Sequence, residues 1–308
     1  MTWRDDWLRR ISGIKQWKAG GERAPHKPLL LLYLFGLVQR SGSSEVTFVD
    51  AEKPLGQLLA EFGPPRPTQA VYPFHHLQSD GFWTVTAEGA SDPGPSVKRL
   101  RATHAAGRLD ADLEEALRED PELLVMAVHH LLDTNWPESL HADICQSVGL
   151  DLSSAERELA RARLHAEVEV ARRRDRNFRQ EVLVAYEYRC AMCGWDGRLD
   201  NSTVGLDAAH VRWWASGGPD SIDNGLCLCT LHHKLLDLGA MGLTSDHRVT
   251  VSQRFVGRGE VADRLVTSLA GAELRSPQAG VSAVADTNIV WHAEQVFQGR
   301  QRQVAAEA

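Results

Sequence analysis

The chain has little cysteine, no long apolar run and no surplus of positive charge. Five cysteines in 308 residues, two of them in C-x2-C spacing at Cys190 and Cys193, do not make a disulfide framework. In a reducing compartment that spacing reads as metal binding. No uninterrupted apolar segment approaches the roughly 18 residues that a membrane helix needs. The longest, from Leu29 to Val38, is broken by Gly36. The N-terminus, MTWRDDWLRRISG, is charged and lacks a signal-peptide core. These absences predict a soluble, cytoplasmic protein with no membrane partner. Lys and Arg number 34 against 41 Asp and Glu, a net charge of −7, which weighs against a strongly basic nucleic-acid binder. Distribution matters more than the sum, however. Arginines concentrate at positions 161, 163, 172, 173, 174, 176 and 179, while acids crowd at Asp110, Asp112, Glu114, Glu115, Glu119 and Asp120. Internal repeats and low-complexity segments are also missing. What remains is a globular composition, 43% hydrophobic, on a chain long enough for two domains.

The pattern along the chain predicts an α+β protein. Residues 1–148 read as one mainly helical domain with short strands. It has a helix from Trp3 to Trp17, a long apolar helix from Leu29 to Gln39, a strand-like VTFVD at 46–50 and an amphipathic helix from Leu55 to Phe62. GPPRP at 63–67 cannot be helical and reads as an exposed functional loop. YPFHHLQSDGFWTV (72–85) passes from loop to short helix to strand, and helices from Asp110 to Glu119 and Pro121 to Asn135 close the domain. Residues 149–186 read as a helical linker capped by Ser153 or Ser154. Its second half turns Phe178, Val182, Ala185 and Tyr186 to one face, so it packs on the segment C-terminal to it. Residues 187–308 hold a dense motif and a C-terminal extension, with a strand at Val249–Ser252, a helix from Glu260 to Leu269 and a last helix around Trp291.

The motif opens with Cys190-x2-Cys193 and closes with Cys229-x2-His232, a four-ligand pattern for a structural zinc ion. Pairing Cys227 with Cys229 instead would give poor chelate geometry along a strand. Cys145 and Cys227 are then reduced, buried small hydrophobes. Between the two halves, a strand from Gly205 ends at His210, and SGGPDSIDNG (216–225) must be a loop. Asn224 enters a second strand, and a helix follows from Thr230 to Leu238. The result is a β-hairpin and a helix whose ends the zinc joins. His233 and Asp237 share a helix face at i, i+4. The arrangement suits phosphodiester hydrolysis. A neutral imidazole takes a proton from water near neutral pH, and a divalent metal stabilises the charge that develops on phosphorus-bound oxygens. His210 is the expected base and His233 a metal ligand, with Asp207 and Asp237 as candidate carboxylate ligands. Asn224 is expected to fix the loop.

YRCAMCG, LDAAHV, GGPDSIDNGLCLC and TLHHKLLD resemble the HNH endonuclease family, with His210, Asn224 and His233 at the three signature positions. The resemblance implies a ββα-metal fold with those three as the catalytic set. It also implies DNA cleavage that depends on Mg, Mn or another divalent metal and leaves 5′-phosphate ends. Ala209 departs from the pattern, because many members carry a metal-binding Asp or His there. The first ligand is then Asp207, Asp237 or water.

APHKPLLLLYL, FGPPRP and YPFHHLQSDGFW, joined to such a module and to the tail IVWHAEQVF, resemble the phosphorothioation-dependent type IV restriction endonucleases over nearly the whole chain. That resemblance implies that residues 1–148 form a sulfur-binding domain for phosphorothioate-modified double-stranded DNA. Tyr72, Pro73 and His76 would line the sulfur pocket and His26 and Lys27 would approach the same phosphate. Arg66 and the basic loop carrying Lys98, Arg99 and Arg101 would touch bases or backbone. An apolar cup rimmed by cations suits a large, weakly hydrated sulfur. An ordinary phosphate oxygen buried there without partners would cost roughly 1–3 kcal/mol. Two other readings remain at this point: the same nuclease behind a reader of methylated bases or bare sequence, and a zinc-stabilised DNA-binding protein without activity. The arginines at 172–179 either track phosphates or form a solvated face balanced by Glu167, Glu169 and Asp175. A duplex cut needs two nicks, so a homodimer is expected, through the 155–176 helix or the tail.

Overall fold

A helix with no polar face anchors the first half of the chain. In the computed structural model, which describes residues 3–16, 24–89, 92–152 and 177–303, helix α2 spans His26–Ser41 and every residue from Leu29 to Phe35 is buried. A helix that is apolar all round belongs in a core. Pro28 is tolerated in its first turn, where backbone donors have no helical partner anyway. Gly42, at φ 74°, ends it and donates its N–H to the Val38 carbonyl. The chain divides into two compact units, Met1–His165 and Ala166–Ala308. The proposed caps Ser153 and Ser154, most of the arginine cluster and the 155–176 helix lie outside the described residues.

Around α2 the first unit arranges α1 (Trp3–Ser12), β1 (Val46–Thr47), α3 (Phe48–Phe62), α4 (Val71–His76), β2 (Trp83–Thr86), α5 (Val97–Ala102), β3 (Ala106–Leu109), α6 (Ala111–Glu119), α7 (Pro121–Asp133) and α8 (Glu138–Val148). Three features differ from expectation. VTFVD is a strand for only two residues. Thr47 Oγ1 accepts the Asp50 N–H at 3.1 Å and starts α3 at Phe48, so the helix runs through Pro54 to bury Phe48, Ala51, Leu55, Leu58, Leu59 and Phe62. The basic segment Lys98–Arg101 is a helix and not a loop, because Ser96 caps it by accepting the Arg99 N–H. Helix α8 has no counterpart in the pattern reading; it follows Pro137 and stops at Gly149 in the left-handed conformation.

The strands form one antiparallel sheet, order β1-β3-β2. Gly107 pairs with Val46 on one side and Val85 on the other. A Cβ on Gly107 would lie 2.0 Å from the Trp83 ring, so glycine is what lets that indole cross the sheet. Trp83 Nε1 in turn donates to the Phe74 carbonyl at 2.7 Å. The Phe74 ring meets Phe48 and Trp83 edge-on at 5.2 and 5.4 Å. Sheet and core thereby hold α4 by one side and leave the Tyr72 side outward.

In the second unit a helix, α9, covers 177–185 and is followed by the hairpin β4 (Arg198–Leu199) and β5 (Ser202–Thr203). Strands β6 (Leu206–His210) and β7 (Gly225–Cys229) pair antiparallel, His210 opposite Gly225 and Leu206 opposite Cys229. Helix α10 (Thr230–Asp237) follows, then β8 (Met241–Leu243), β9 (Val249–Val251), α11 (Glu260–Leu265) and α12 (Asp286–Gln295). The face of α9 expected to pack does so: Phe178, Val182, Ala185 and Tyr186 join Leu226, Cys227, Leu228 and Leu236 in one core. Gly225 makes this close approach possible, since a Cβ there would sit 2.4 Å from Val182 and 3.0 Å from Phe178. Helix α12 fixes the site from behind. His292 Nε2 donates to the Leu236 carbonyl at 2.9 Å, and Asn288 Nδ2 and the Ala285 N–H both donate to the carbonyl of Asp223. Among the described residues no helix is long and apolar enough to cross a membrane.

Candidate functional site

Cys190, Cys193, Cys229 and His232 come together with their ligand atoms all within 4.8 Å of one another. His232 Nδ1 is 3.1 Å from Cys229 Sγ and 3.5 Å from Cys190 Sγ, and the Cys193 and Cys229 sulfurs are 4.0 Å apart. Such separations fit ligands placed at about 2.1–2.3 Å around one tetrahedral ion. The set fits zinc on a second ground. His232 Nε2 donates to the Leu265 carbonyl at 2.8 Å, which fixes the tautomer and turns the Nδ1 lone pair to the sulfurs. Hydrogen bonds from Cys193 and Cys229 drive Cys190 towards the thiolate. Burial disfavours a charged His232, but the Cys190 and Cys229 sulfurs outweigh it and raise its pKa to about 10, so without an ion Nδ1 holds a proton whose place a metal would take. Cys227, also a candidate, is instead buried in the core, where burial pushes its thiol up to about 12. Cys145 is only half-buried, contrary to expectation.

His210 ends β6 with its ring stacked on Phe178, centroids 4.1 Å apart. Its Nε2 lies 2.9 Å from Asp220 Oδ1. A proton on Nε2 makes this bond to the carboxylate and leaves Nδ1 with the lone pair a base requires. Asn224 is fully buried. Its Oδ1 accepts the Arg212 N–H at 2.8 Å and its Nδ2 donates to the Arg212 and Pro219 carbonyls at 2.9 Å each. It thus clamps both ends of the 212–219 loop and holds Asp220 against His210, with no side-chain surface left to touch a substrate. The clamp is tight: a Cβ on Gly218 would meet the Arg212 carbonyl oxygen at 1.8 Å.

His233 sits between two carboxylates. Asp207 Oδ2 is 3.6 Å from Nδ1, and Asp237 Oδ2 is 3.3 Å from Nε2. Because the two acids face opposite nitrogens, Asp207, His233 and Asp237 do not converge on one ion as a three-ligand set. Asp237 is buried on the helix side, whereas the Asp207 side chain is half exposed. Burial disfavours the His233 imidazolium, yet Asp207 and Asp237 outweigh it and hold its pKa above the ordinary value. Arg179, the one described member of the arginine cluster, bonds Asp207 Oδ1 at 3.1 Å and the Leu206 carbonyl at 2.8 Å. It steadies β6 and is not a free phosphate clamp. Asp220, Phe178 and the Leu265 carbonyl were not foreseen. Phe178 carried a packing signal only, and the partners of His210 and His232 lie too far along the chain for spacing to reveal them.

In the first unit, His26 begins α2, and its Nε2 meets Thr68 Oγ1 at 3.3 Å. Tyr72 and His76, one turn apart on α4, stack with rings 6.4 Å apart and 6° from parallel. Burial, then His75 and Lys27, keeps the His76 pKa below its ordinary value. Pro73 lies between Tyr72 and His76 on α4 and is buried, three residues before His76 and so a neighbour of it round the helix. Lys27 is bound by Asp80 at 2.6 Å, and Arg101 by Glu52 at 2.6 Å. Arg66, Lys98 and Arg99 are exposed. An open groove of about 660 Å³, lined in part by Glu52, Thr68, Gln69, Ser96 and Lys98, adjoins this face.

The family model described as "ScoMcrA-like, DNA sulfur-binding domain" matches residues 4–153, and an HNH endonuclease model matches residues 190–244. No curated protein matches the chain. Among solved structures, the chain is similar to the sulfur-binding domain of SprMcrA complexed with phosphorothioated DNA, at 23% identity over 48% of this chain and 95% of that one, TM-score 0.42. It is also similar to the same domain of ScoMcrA complexed with phosphorothioated DNA, at 23% identity over 49% and 96%, TM-score 0.41. The type IV phosphorothioation-dependent restriction endonuclease ScoMcrA itself matches at 23% identity over 49% of this chain and 28% of that one, TM-score 0.38. Residues 4–153 are therefore a ScoMcrA-like DNA sulfur-binding domain and residues 190–244 an HNH endonuclease domain, carried on one chain.

Proposed function

We propose that this chain is a modification-dependent DNA endonuclease: its first unit binds phosphorothioate-modified duplex DNA and its second hydrolyses phosphodiester bonds nearby. The observation that carries the reading is the joining of a sulfur-binding domain to an HNH domain in which His210 is oriented by Asp220 at 2.9 Å with Nδ1 free. In this reading Tyr72, Pro73 and His76 offer the face to sulfur, while His26, Arg66, Lys98 and Arg99 contact the surrounding DNA. His210 Nδ1 takes the proton of the attacking water, a role worth roughly 10²- to 10⁴-fold in rate, and Asp220 stabilises the imidazolium that results. Asn224 is a positioning residue. Asp207 and His233 Nδ1 are the pair that would hold a divalent metal such as Mg or Mn, which binds through few protein ligands and the substrate's own oxygens. When bound, the metal supplies charge stabilisation at phosphorus and the departing 3′ oxygen. Zinc at Cys190, Cys193, Cys229 and His232 holds the loop after α9 to the start of α10. Two copies acting together would make the second nick.

The test uses end-labelled duplexes identical except for one phosphorothioate linkage, incubated with the full chain and Mg²⁺ or Mn²⁺. The modified duplex is expected to be cut and the plain one left intact. Chelation of the added metal and His210→Ala should each abolish cutting. Equal cutting of both duplexes rejects the sulfur-reading function; failure to cut either with any divalent metal rejects the nuclease.

A further inference from the structure

Two cations that a DNA-reading role would put on phosphates are already held by carboxylates of their own unit. Lys27 Nζ lies 2.6 Å from Asp80 Oδ2 and 3.1 Å from Ser79 Oγ. The two charged side chains are only 12% and 3% exposed. Asp80 is fixed from the other side as well, because its Oδ1 accepts the Lys15 N–H at 2.8 Å. Arg101 directs Nε and Nη2 to one oxygen of Glu52 at 2.9 and 2.6 Å. Glu52 lines the same groove as Thr68, and Thr68 is the contact of His26. Two of the cations that border the face carrying His26, Tyr72 and His76 therefore have their charge locally cancelled. A site built to hold ordinary backbone would leave such groups unpaired, since phosphate affinity comes from cations that displace counterions from DNA. The chain as a whole, at net charge −7, offers no compensating field.

The geometry points to Asp80 and Glu52 as a charge guard that restrains the affinity of this unit for unmodified DNA. The inference rests on the first unit being a DNA reader. A phosphate oxygen reaching Lys27 or Arg101 must displace a carboxylate that already makes short, charge-assisted bonds, so one anion is exchanged for another with little net gain. At these two cations plain backbone offers only that exchange. A phosphorothioate brings an additional apolar contact at Tyr72 and His76. Holding plain-backbone affinity low keeps the protein from being sequestered by the large excess of unmodified sites, which compete by number as well as by affinity.

Binding of the full chain to labelled unmodified duplex, followed across a salt series, tests the guard. Asp80→Asn and Glu52→Gln should each bind that duplex several-fold more tightly at low salt. Each should steepen the plot of log affinity against log salt by roughly one contact. Glu115→Gln, which removes an equal charge from an exposed position of α6, should change the slope much less. The Asp80→Asn gain must disappear in a Lys27→Ala background. Glu52→Gln, at a pair exposed to solvent, answers the question even if Asp80→Asn unfolds the unit. Unchanged or weaker binding by both variants, or an Asp80→Asn gain that survives Lys27→Ala, overturns the guard. The same titrations with modified duplex separate the two ideas. A wild-type chain with no preference for sulfur rejects the phosphorothioate reading alone, and a clear preference with flat responses in both variants rejects the guard alone.

Discussion

Asn224 governs a site its own side chain does not touch. It is wholly buried, and its amide joins the backbone of Arg212 to that of Pro219 through three hydrogen bonds. Asp220, the residue after Pro219, is thereby set against His210. Asn224→Ala should leave a buried N–H and two carbonyls unpaired, at about 1–3 kcal/mol for an orphaned group. Turnover on modified duplex should fall by at least tenfold while the zinc content stays at one per chain. Asn224→Asp should not rescue it, because a carboxylate oxygen would face the Arg212 and Pro219 carbonyls. Full turnover by either variant would show that the clamp does not position His210. The importance of position 224 was legible from its spacing, and its loop-fixing role from its residue type. The partner of His210 was not. Asp220 is one of two acids in SGGPDSIDNG, and only the folded loop decides which one points at the imidazole.

Between elements, the same kind of tie is made by Glu114. This residue of α6 is 3% exposed. It accepts from the Ser44 N–H at 2.9 Å, from the Ser44 hydroxyl, and from Arg108 Nη2 at 2.7 Å on β3. Burial alone would raise its pKa, but the hydrogen bonds from Arg108 and Ser44 prevail and lower it. A carboxyl whose folded pKa lies below its unfolded value adds stability that is complete above the unfolded value, about 4.3. That stability is lost as pH falls through the folded one. Glu114→Gln should therefore lower the unfolding free energy of the first unit by about 1–3 kcal/mol near neutral pH. The gap from wild type should close as the pH drops below about 4. A gap that is constant with pH, measured by denaturant unfolding, would show that the carboxylate charge is not what matters. None of this was visible in the chain, where Glu114 reads as one of a run of acids on a solvated face. Helices with a continuous apolar stripe, such as α2 and α7, could be read directly. VTFVD could not, because its β-branched composition favours a strand and only the Thr47 cap makes it a helix start. The basic segment at 98–101 likewise became a helix through a single cap, Ser96. The coming together of Cys190, Cys193, Cys229 and His232 was legible, since they form two local pairs and only the pairing of those pairs is long-range.

Across the chain, the proposed function separates two chemistries that a single surface would combine poorly. In the proposed reading sulfur meets the face of Tyr72 and His76, and hydrolysis draws on carboxylates, imidazoles and a metal. The net charge of −7 fits a protein whose selectivity does not come from a broad positive field. The composition made that field's absence plain, while the Lys27–Asp80 and Arg101–Glu52 pairs, 53 and 49 residues apart in sequence, could emerge only from the fold. The central claim is that reading and cutting depend on different residues of one polypeptide. It is tested most directly by measuring binding and single-turnover cleavage together on one labelled duplex carrying a single phosphorothioate, for His210→Ala and for Tyr72→Ala in the full chain. His210→Ala should bind the modified duplex as wild type does and leave it uncut. Tyr72→Ala should lose the preference for modified over plain duplex while its zinc content is unchanged. Cleavage surviving in His210→Ala, or an undiminished sulfur preference in Tyr72→Ala, would show that other residues of the molecule carry these two roles.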